Sequence, residues 1–292
     1  MAEACPTLGS LHAEARARLA QAGIEDATLD ARLLVEHFTM TSRTDALVRP
    51  ELEIAAPSVS MLDEALARRV SGMPVHRIMG QREFYGLTLG LSDETLEPRP
   101  DTEILVDLVL GEARREGGED RPYRILDLGT GSGAIAIALL SALPSASAIG
   151  ADISEDALAT ARRNADMNGV GGRFVGLRSD WFSEIEGRFD FIVSNPPYIR
   201  EHDWKSLSRE VRDFDPRKAL VGGVDGLDAY RAIAQGCHGY LATDGRVAVE
   251  IGYDQKEAVT RVFETCAFRR AVAAKDLAGH DRALIFHAEK TS

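Results

Sequence analysis

The chain has 292 residues, 45% of them hydrophobic and 27% charged, which is enough for two domains at about 100 to 200 residues each and excludes a disordered chain. Its longest nearly apolar run, 134–143, is interrupted by Ser141 and falls short of the ~20 residues that a membrane-spanning helix needs, so no membrane association is expected. A net charge of −12, divided as −3 over residues 1–80 and −9 over 81–292, opposes the cationic footprint that displaces counterions from phosphates, and no stable nucleic-acid binding is expected.

The N-terminus carries Glu3 and no apolar h-region, so neither a secretory signal nor an acid-poor transit peptide is expected. Cys5, Cys237 and Cys266 form an odd, widely separated set without CxxC spacing, which points to the reducing cytoplasm rather than to zinc or a redox pair. Residues 1–74 read as a small helical domain. Leu11, Ala15 and Leu19, then Leu29, Leu33, Val35 and Phe38, recur near the 3.6-residue period, with Asp26 or Thr28 placed to cap the second helix, and a further helix is predicted over 58–70. Residues 75–100 are glycine-punctuated and partly alternating (Phe84, Tyr85, Leu87, Leu89, Leu91), the pattern of a β-hairpin linker. The linker closes on the stiff turn Pro98-Arg99-Pro100-Asp101-Thr102-Glu103, whose Asp101 or Thr102 is placed to cap a helix over 104–112. Residues 101–292 form the larger domain, where short apolar strands alternate with helical segments, the signature of a parallel α/β sheet. Strands are predicted over 124–128, 148–151, 174–177, 189–193 and 246–250, with a final pair near 270–274 and 282–287.

Three places in this domain carry chemistry. The strand ending at Leu128 runs into Gly129-Thr130-Gly131-Ser132-Gly133, a glycine-rich turn that opens a helix. Residues without Cβ let the backbone approach a ligand, and the helix start offers free N–H groups. Gly129, Gly131 and Ala134 also satisfy the relaxed dinucleotide pattern, and a ligand-free tight turn reads alike. Asp152 ends the next strand, 23 residues past Gly129, where a carboxylate accepts ribose hydroxyls; Ser154 is better placed as the helix cap, which leaves Asp152 for a ligand. Neither feature separates a nicotinamide cofactor from S-adenosylmethionine. After the strand 189–193 comes Ser194-Asn195-Pro196-Pro197-Tyr198. Asn195 and Pro196 both precede a proline and are held extended, so the Asn195 side-chain oxygen and the Pro196 carbonyl are available to accept two N–H bonds from a planar amine or amide. Tyr198 supplies a flat aromatic face. Elsewhere the plain reading holds: the seven histidines lack ligand spacing and no metal is expected, Arg212, Arg217 and Lys218 read as a solvated face, and Gly222, Gly223 and Gly226 read as a loop.

These motifs together resemble the class I S-adenosylmethionine-dependent methyltransferases, and within them the release factor glutamine methyltransferases. The resemblance spans nearly the whole chain. It runs through Gly80-Gln81-Arg82-Glu83-Phe84-Tyr85-Gly86, Pro98 to Glu103, the Gly129 to Gly133 turn, Ser179-Asp180-Trp181-Phe182, Asn195 to Tyr198, Val211-Arg212-Asp213-Phe214-Asp215-Pro216-Arg217, and Asp276-Leu277-Ala278-Gly279-His280-Asp281-Arg282. One departure is Glu97, where the family usually carries an apolar residue. The resemblance implies a Rossmann-like seven-stranded sheet whose last strand is antiparallel, preceded by a helical domain that helps grip a protein substrate and a hairpin linker. It implies S-adenosyl-L-methionine as cofactor, with Gly129, Thr130, Gly131, Ser132 and Gly133 cradling the methionyl part, Asp152 on the ribose, Asp180 and Trp181 along the adenine, and Asn195 at the border between cofactor and acceptor.

The activity expected is methylation of the glutamine side-chain nitrogen in the Gly-Gly-Gln motif of class-1 peptide-chain release factors. Asn195 and Pro196 would act at the reacting centre, and Pro197 and Tyr198 would complete the substrate site. The nearest rivals are a DNA adenine N6-methyltransferase, since the same loop can hold an exocyclic amine, and a glutamine methyltransferase of a ribosomal protein.

Overall fold

The first turn of helix α1 (Leu8–Gln21) is held by a reciprocal cap, in which Ser10 N donates to Thr7 Oγ1 at 3.3 Å and Thr7 N donates to Ser10 Oγ at 3.0 Å. Residues 5–289 are described by the computed structural model, and their contacts divide into two units, one ending at Gly80 and the other beginning at Gln81. In the first unit α1 is followed by α2 (Ala27–Thr39), α3 (Arg43–Val48), α4 (Ala56–Val70) and α5 (Val75–Met79). Leu8, Leu11, Ala15 and Leu19 of α1 pack with Ala31, Leu34 and Val35 of α2 and with Leu62 and Leu66 of α4.

Three details differ from the pattern read in the sequence. Asp26 precedes α2 without a side-chain capping bond. Leu29 is 45% exposed, because Ala27 and Ala31 take the buried stripe instead. Residues 75–79, expected within the hairpin, form the short helix α5, bracketed by Pro74 before it and by Gly80 at φ 71° after it.

In the second unit β1 (Gln81–Phe84) and β2 (Leu87–Gly90) form an antiparallel hairpin. There follow α6 (Glu103–Glu116), β3 (Arg124–Leu128), α7 (Ala134–Ala142), β4 (Ser147–Asp152), α8 (Glu155–Met167), β5 (Phe174–Arg178) and β6 (Phe189–Ser194). The chain continues through α9 (Arg209–Phe214), α10 (Asp228–Gly236), β7 (Leu241–Glu250), α11 (Lys256–Glu264), β8 (Phe268–Lys275) and β9 (Asp281–Ala288). The last seven strands form one sheet in the order β5-β4-β3-β6-β7-β9-β8, parallel except for β9, which is antiparallel to both neighbours. Every strand expected from the sequence is present, β7 and β8 being longer at their starts.

The strand alternation explains the two cores. Ile125, Phe191, Val193, Ala248 and Ile285 face α6, α7 and α8, while Leu126, Leu128, Ile192, Val247, Val249 and Phe286 face α10 and α11. Phe84 and Leu89 of the hairpin join the first of these cores, and Asn164 Nδ2 on α8 bonds the carbonyls of Gly90 at 3.0 Å and Ser132 at 2.8 Å, tying the hairpin to the glycine turn. The direction in which successive strands are added reverses between the parallel neighbours β3 and β6, because the connection after β3 leads to β4 on one side and that after β6 leads to β7 on the other. Such a switch point opens a crevice at the carboxyl ends of the strands.

A test of the helical unit follows from its buried ion pair. Arg69 Nε meets Asp30 Oδ2 at 2.6 Å, with the side chains 8% and 7% exposed. Asp30→Ala leaves the guanidinium buried without that carboxylate and is expected to cost about 3 kcal/mol. Replacing both partners, Asp30→Leu with Arg69→Met, should cost less than the single change. Urea unfolding read through hydrogen exchange in α2 and α4 measures this, and equal losses for the single and double variants would contradict it.

Candidate active site

The crevice is built from the ends of four strands, β3, β4, β5 and β6. At the end of β3, Gly129, Gly131 and Gly133 have φ of 67°, 55° and 82°, a region costly for residues with a Cβ. At Gly133 space adds to the demand, since a Cβ would lie 2.8 Å from Ile137 Cδ1 and 3.2 Å from Ala161 Cβ. Gly129 N and Thr130 N both donate to Ala151 O, at 2.8 and 3.0 Å, so the turn is fastened to the end of β4. Ser194 Oγ donates to Leu128 O at 2.7 Å, which fastens the end of β6 to that of β3.

Beneath the turn, Asp127 accepts from Thr130 Oγ1 at 2.7 Å and Ala136 N at 3.3 Å through Oδ2, while its buried Oδ1 has no partner among the described residues. Burial raises the Asp127 carboxyl to about 7, against those two bonds and with the help of the Asp152 charge.

Asp152 is half-buried at the end of β4, and Ser154 caps α8 by accepting from Ala157 N at 3.2 Å, as its position suggested. Asp152 is not idle. Its Oδ2 accepts from Gly131 N and its Oδ1 from Ser154 N, each at 2.9 Å. One donor per oxygen leaves lone pairs for two further hydroxyls.

Past β5, Trp181 adopts φ 50°, unusual for a bulky residue, and its carbonyl accepts from Ser179 Oγ at 2.9 Å. Past β6, Asn195 Nδ2 donates to Thr102 Oγ1 at 3.1 Å, and Thr102 Oγ1 donates to Glu250 Oε2 at 2.6 Å. Thr102 therefore does not cap α6 through its side chain, and neither does Asp101, whose carboxylate pairs with Arg282 at 3.2 Å. The Asn195 Oδ1 and the carbonyl of the buried Pro196 accept no hydrogen bond among the described residues.

A cleft of about 290 Å³ brings together Gly129, Thr130, Gly131, Ser132, Asp152, Asp180, Trp181, Asn195 and Pro197 with the buried Pro98 and Thr102, and with Arg99, Pro216 and Lys218 at its rim. Gly133, Pro196 and Tyr198 do not line it. Tyr198 departs from the open aromatic face expected of it: its ring packs on the α10 side of the sheet and its hydroxyl donates to Glu250 Oε1 at 3.3 Å. Burial, then the Glu250 charge, pushes its phenol well up.

Further residues shape the site, among them two glycines expected only to form a loop. Gly222 and Gly226 press against the Asn195 loop so closely that a Cβ would lie 2.3 Å from Pro197 O and 2.4 Å from Tyr198 O. Gln255 Nε2 donates to Tyr198 O at 2.9 Å. Glu97 is buried and is answered by Arg82 at 2.7 Å, which explains how a carboxylate is tolerated at that junction. Asp215 pairs with Arg99 at 2.6 Å, drawing Pro216 and Lys218 to the rim.

The fit to an adenosyl cofactor is good on these observations, with Gly129 and Gly131 lining the cleft at positive φ, a carboxylate with spare acceptor capacity and an indole in the wall. Comparison with known proteins points the same way. A family model described as the PrmC N-terminal domain matches residues 10–80, and one described as the methyltransferase small domain matches 108–211. The release factor glutamine methyltransferase of Agrobacterium fabrum is 50% identical over 272 residues, covering 93% of this chain and 94% of the relative.

The chain belongs to the release factor glutamine methyltransferase family.

A second member, from Vibrio cholerae, is 39% identical over 267 residues, 91% of each chain. Among solved structures, a methyltransferase from Pyrococcus furiosus superposes with a TM-score of 0.54 at 17% identity, covering 78% of this chain and 100% of its own, which supports the class I methyltransferase fold. As a class I methyltransferase the enzyme uses S-adenosylmethionine.

Two outcomes test the site. Asp152→Ala is expected to weaken S-adenosylmethionine binding by about 1 to 3 kcal/mol, the scale of losing bonds to a charged acceptor; unchanged affinity by calorimetry would contradict its role. The Asp127 carboxyl, raised from 3.8 to about 7, keeps its proton in the folded state where the unfolded chain has lost it. Its contribution to stability therefore declines as pH rises between those values and is level above them. Relative to Asp127→Asn, which cannot ionise, the wild type should lose on the order of 3 kcal/mol between pH ~4 and ~7. A pH-independent difference between the two in chemical denaturation would contradict this.

Proposed function

We propose that the enzyme methylates the side-chain amide nitrogen (N5) of the glutamine in the Gly-Gly-Gln motif of class-1 peptide-chain release factors, in the cytoplasm and without a stable nucleic-acid or membrane partner. The names of its relatives support the acceptor, the net charge of −12 counts against a polyanion, and no described helix is long and apolar enough to cross a membrane. The observation that carries the chemistry is the pair of unengaged acceptors at the end of β6, Asn195 Oδ1 and Pro196 O.

A carboxamide nitrogen is a weak nucleophile because its lone pair is delocalised into the carbonyl. It has two N–H donors in one plane, and two acceptors on consecutive residues of a proline-stiffened loop match them. S-adenosylmethionine, when bound, supplies an electrophilic sulfonium methyl. The residues of the loop then work by orientation: Asn195 and Pro196 hold the amide plane, which aims the nitrogen lone pair and draws electron density toward it. Pro197 at the wall of the cleft limits water at the same point. The surplus proton on the methylated nitrogen is strongly acidic and passes to solvent, so this arrangement requires no side-chain base.

Asn195→Ala should leave cofactor affinity largely intact and slow methyl transfer by about 100-fold, the scale of removing one preorganised polar group. Single-turnover transfer of labelled methyl to a release factor measures it, with a Gln→Ala acceptor and duplex DNA as controls that stay unlabelled. Transfer at the wild-type rate, or labelling of either control, would contradict the proposal.

A further inference from the structure

The Asn195 side chain can serve as an acceptor for substrate only while its amide is held one way round. A free Asn amide can turn its nitrogen toward the substrate, presenting two donors to a group that itself donates. The orientation in this enzyme is set from behind. Asn195 Nδ2 is 3.1 Å from Thr102 Oγ1, and the hydroxyl of Thr102 is spent on Glu250 Oε2 at 2.6 Å. Having given its proton to a carboxylate, Thr102 Oγ1 has only lone pairs to offer Asn195, so the amide must present nitrogen to it and oxygen to the other side. Glu250 is held in turn, since Tyr198 donates to its Oε1 at 3.3 Å and Tyr230 donates to its backbone carbonyl at 2.9 Å. Thr102 and Glu250 are 3% and 2% exposed, so water does not substitute easily for either.

We propose that Thr102 and Glu250 are positioning residues, a directional relay that fixes the Asn195 amide with its oxygen toward the acceptor. The proposal rests on the reading of Asn195 given above. Neither residue touches the reacting atoms: the carboxylate sets the direction of the Thr102 hydroxyl, and Thr102 sets the amide.

The test has one arm that needs no acceptor. In a 15N-labelled full-length enzyme, the side-chain amide of Asn195, identified by its absence from Asn195→Ala, should give a dispersed proton pair exchanging more slowly than exposed Asn side chains. Thr102→Val should move that pair to the position of freely rotating amides, and Thr102→Ser, which keeps the hydroxyl, should restore it. In the second arm, Thr102→Val should lower the single-turnover transfer rate by about 10- to 100-fold, with cofactor affinity within about twofold, as expected for lost alignment rather than lost binding. Thr102→Ser should recover most of the rate, and Thr102→Val should add little on top of Asn195→Ala.

A mobile Asn195 amide in the wild type, or an undisturbed one in Thr102→Val, would overturn the relay. Should Thr102→Val fail to fold, the wild-type exchange rate and Thr102→Ser still decide it. A wild type that leaves the release factor glutamine unlabelled would instead overturn the acceptor assignment, and the amide resonances would continue to judge the relay alone.

Discussion

A single buried carboxylate, Glu250 at the end of β7, is the constraint around which the Asn195 side of the cleft is organised. Burial raises it to about 7, and the bonds from Thr102 and Tyr198 and the charge of Arg282 pull the other way. An ionised group in that position is tolerable only if its oxygens are satisfied, and the donors that satisfy them come from the start of α6 and the loop after β6. Desolvation thus recruits two segments distant in sequence to one point. Arg282, at the start of β9, binds Asp101 and Asp276 at 3.2 and 2.9 Å, which ties the Pro-Arg-Pro turn to the β8–β9 hairpin.

The opposite wall is built on a different principle. The glycine turn is held through its own backbone N–H groups, which donate from Gly129 and Thr130 to Ala151 O and from Gly131 to the Asp152 carboxylate. Three of its five residues are glycines, and the acid beneath it, Asp127, receives the Thr130 hydroxyl and a helix N–H. The reversal of strand order between the parallel neighbours β3 and β6 brings the glycine turn and the Asn195 loop to one crevice. The hydrogen bond from Ser194 to Leu128 O keeps the two strand ends in register.

Much of this was legible in the sequence, because strand alternation, glycine turns and proline pairs act locally. The strands of the sheet, the Gly129 turn and the Ser154 cap could each be read from a few neighbouring residues. The N-terminal helices were legible for the same reason, whereas α3 and α5 are too short for periodicity to register. What escaped was pairing across long separations. Thr102 looked like a helix cap because its neighbours permit one, yet its hydroxyl is bound to a residue 148 positions away. Glu250 sat in the apolar run Val247-Ala248-Val249-Glu250-Ile251, and a carboxylate there without an obvious partner was the one available signal that something distant must satisfy it. Gly222 and Gly226 read as a loop because nothing local requires them; the demand comes from the Pro197 and Tyr198 carbonyls packed against them.

On the function proposed above, the two acceptors at the end of β6 select a glutamine carboxamide. Peptide mass spectrometry of a class-1 release factor, after incubation with the full-length enzyme and S-adenosylmethionine, addresses it most directly. One added methyl group is expected, confined to the glutamine of the Gly-Gly-Gln motif and located on the side-chain nitrogen by fragmentation. A release factor that returns unmodified, or a methyl group found on any other residue, would contradict it.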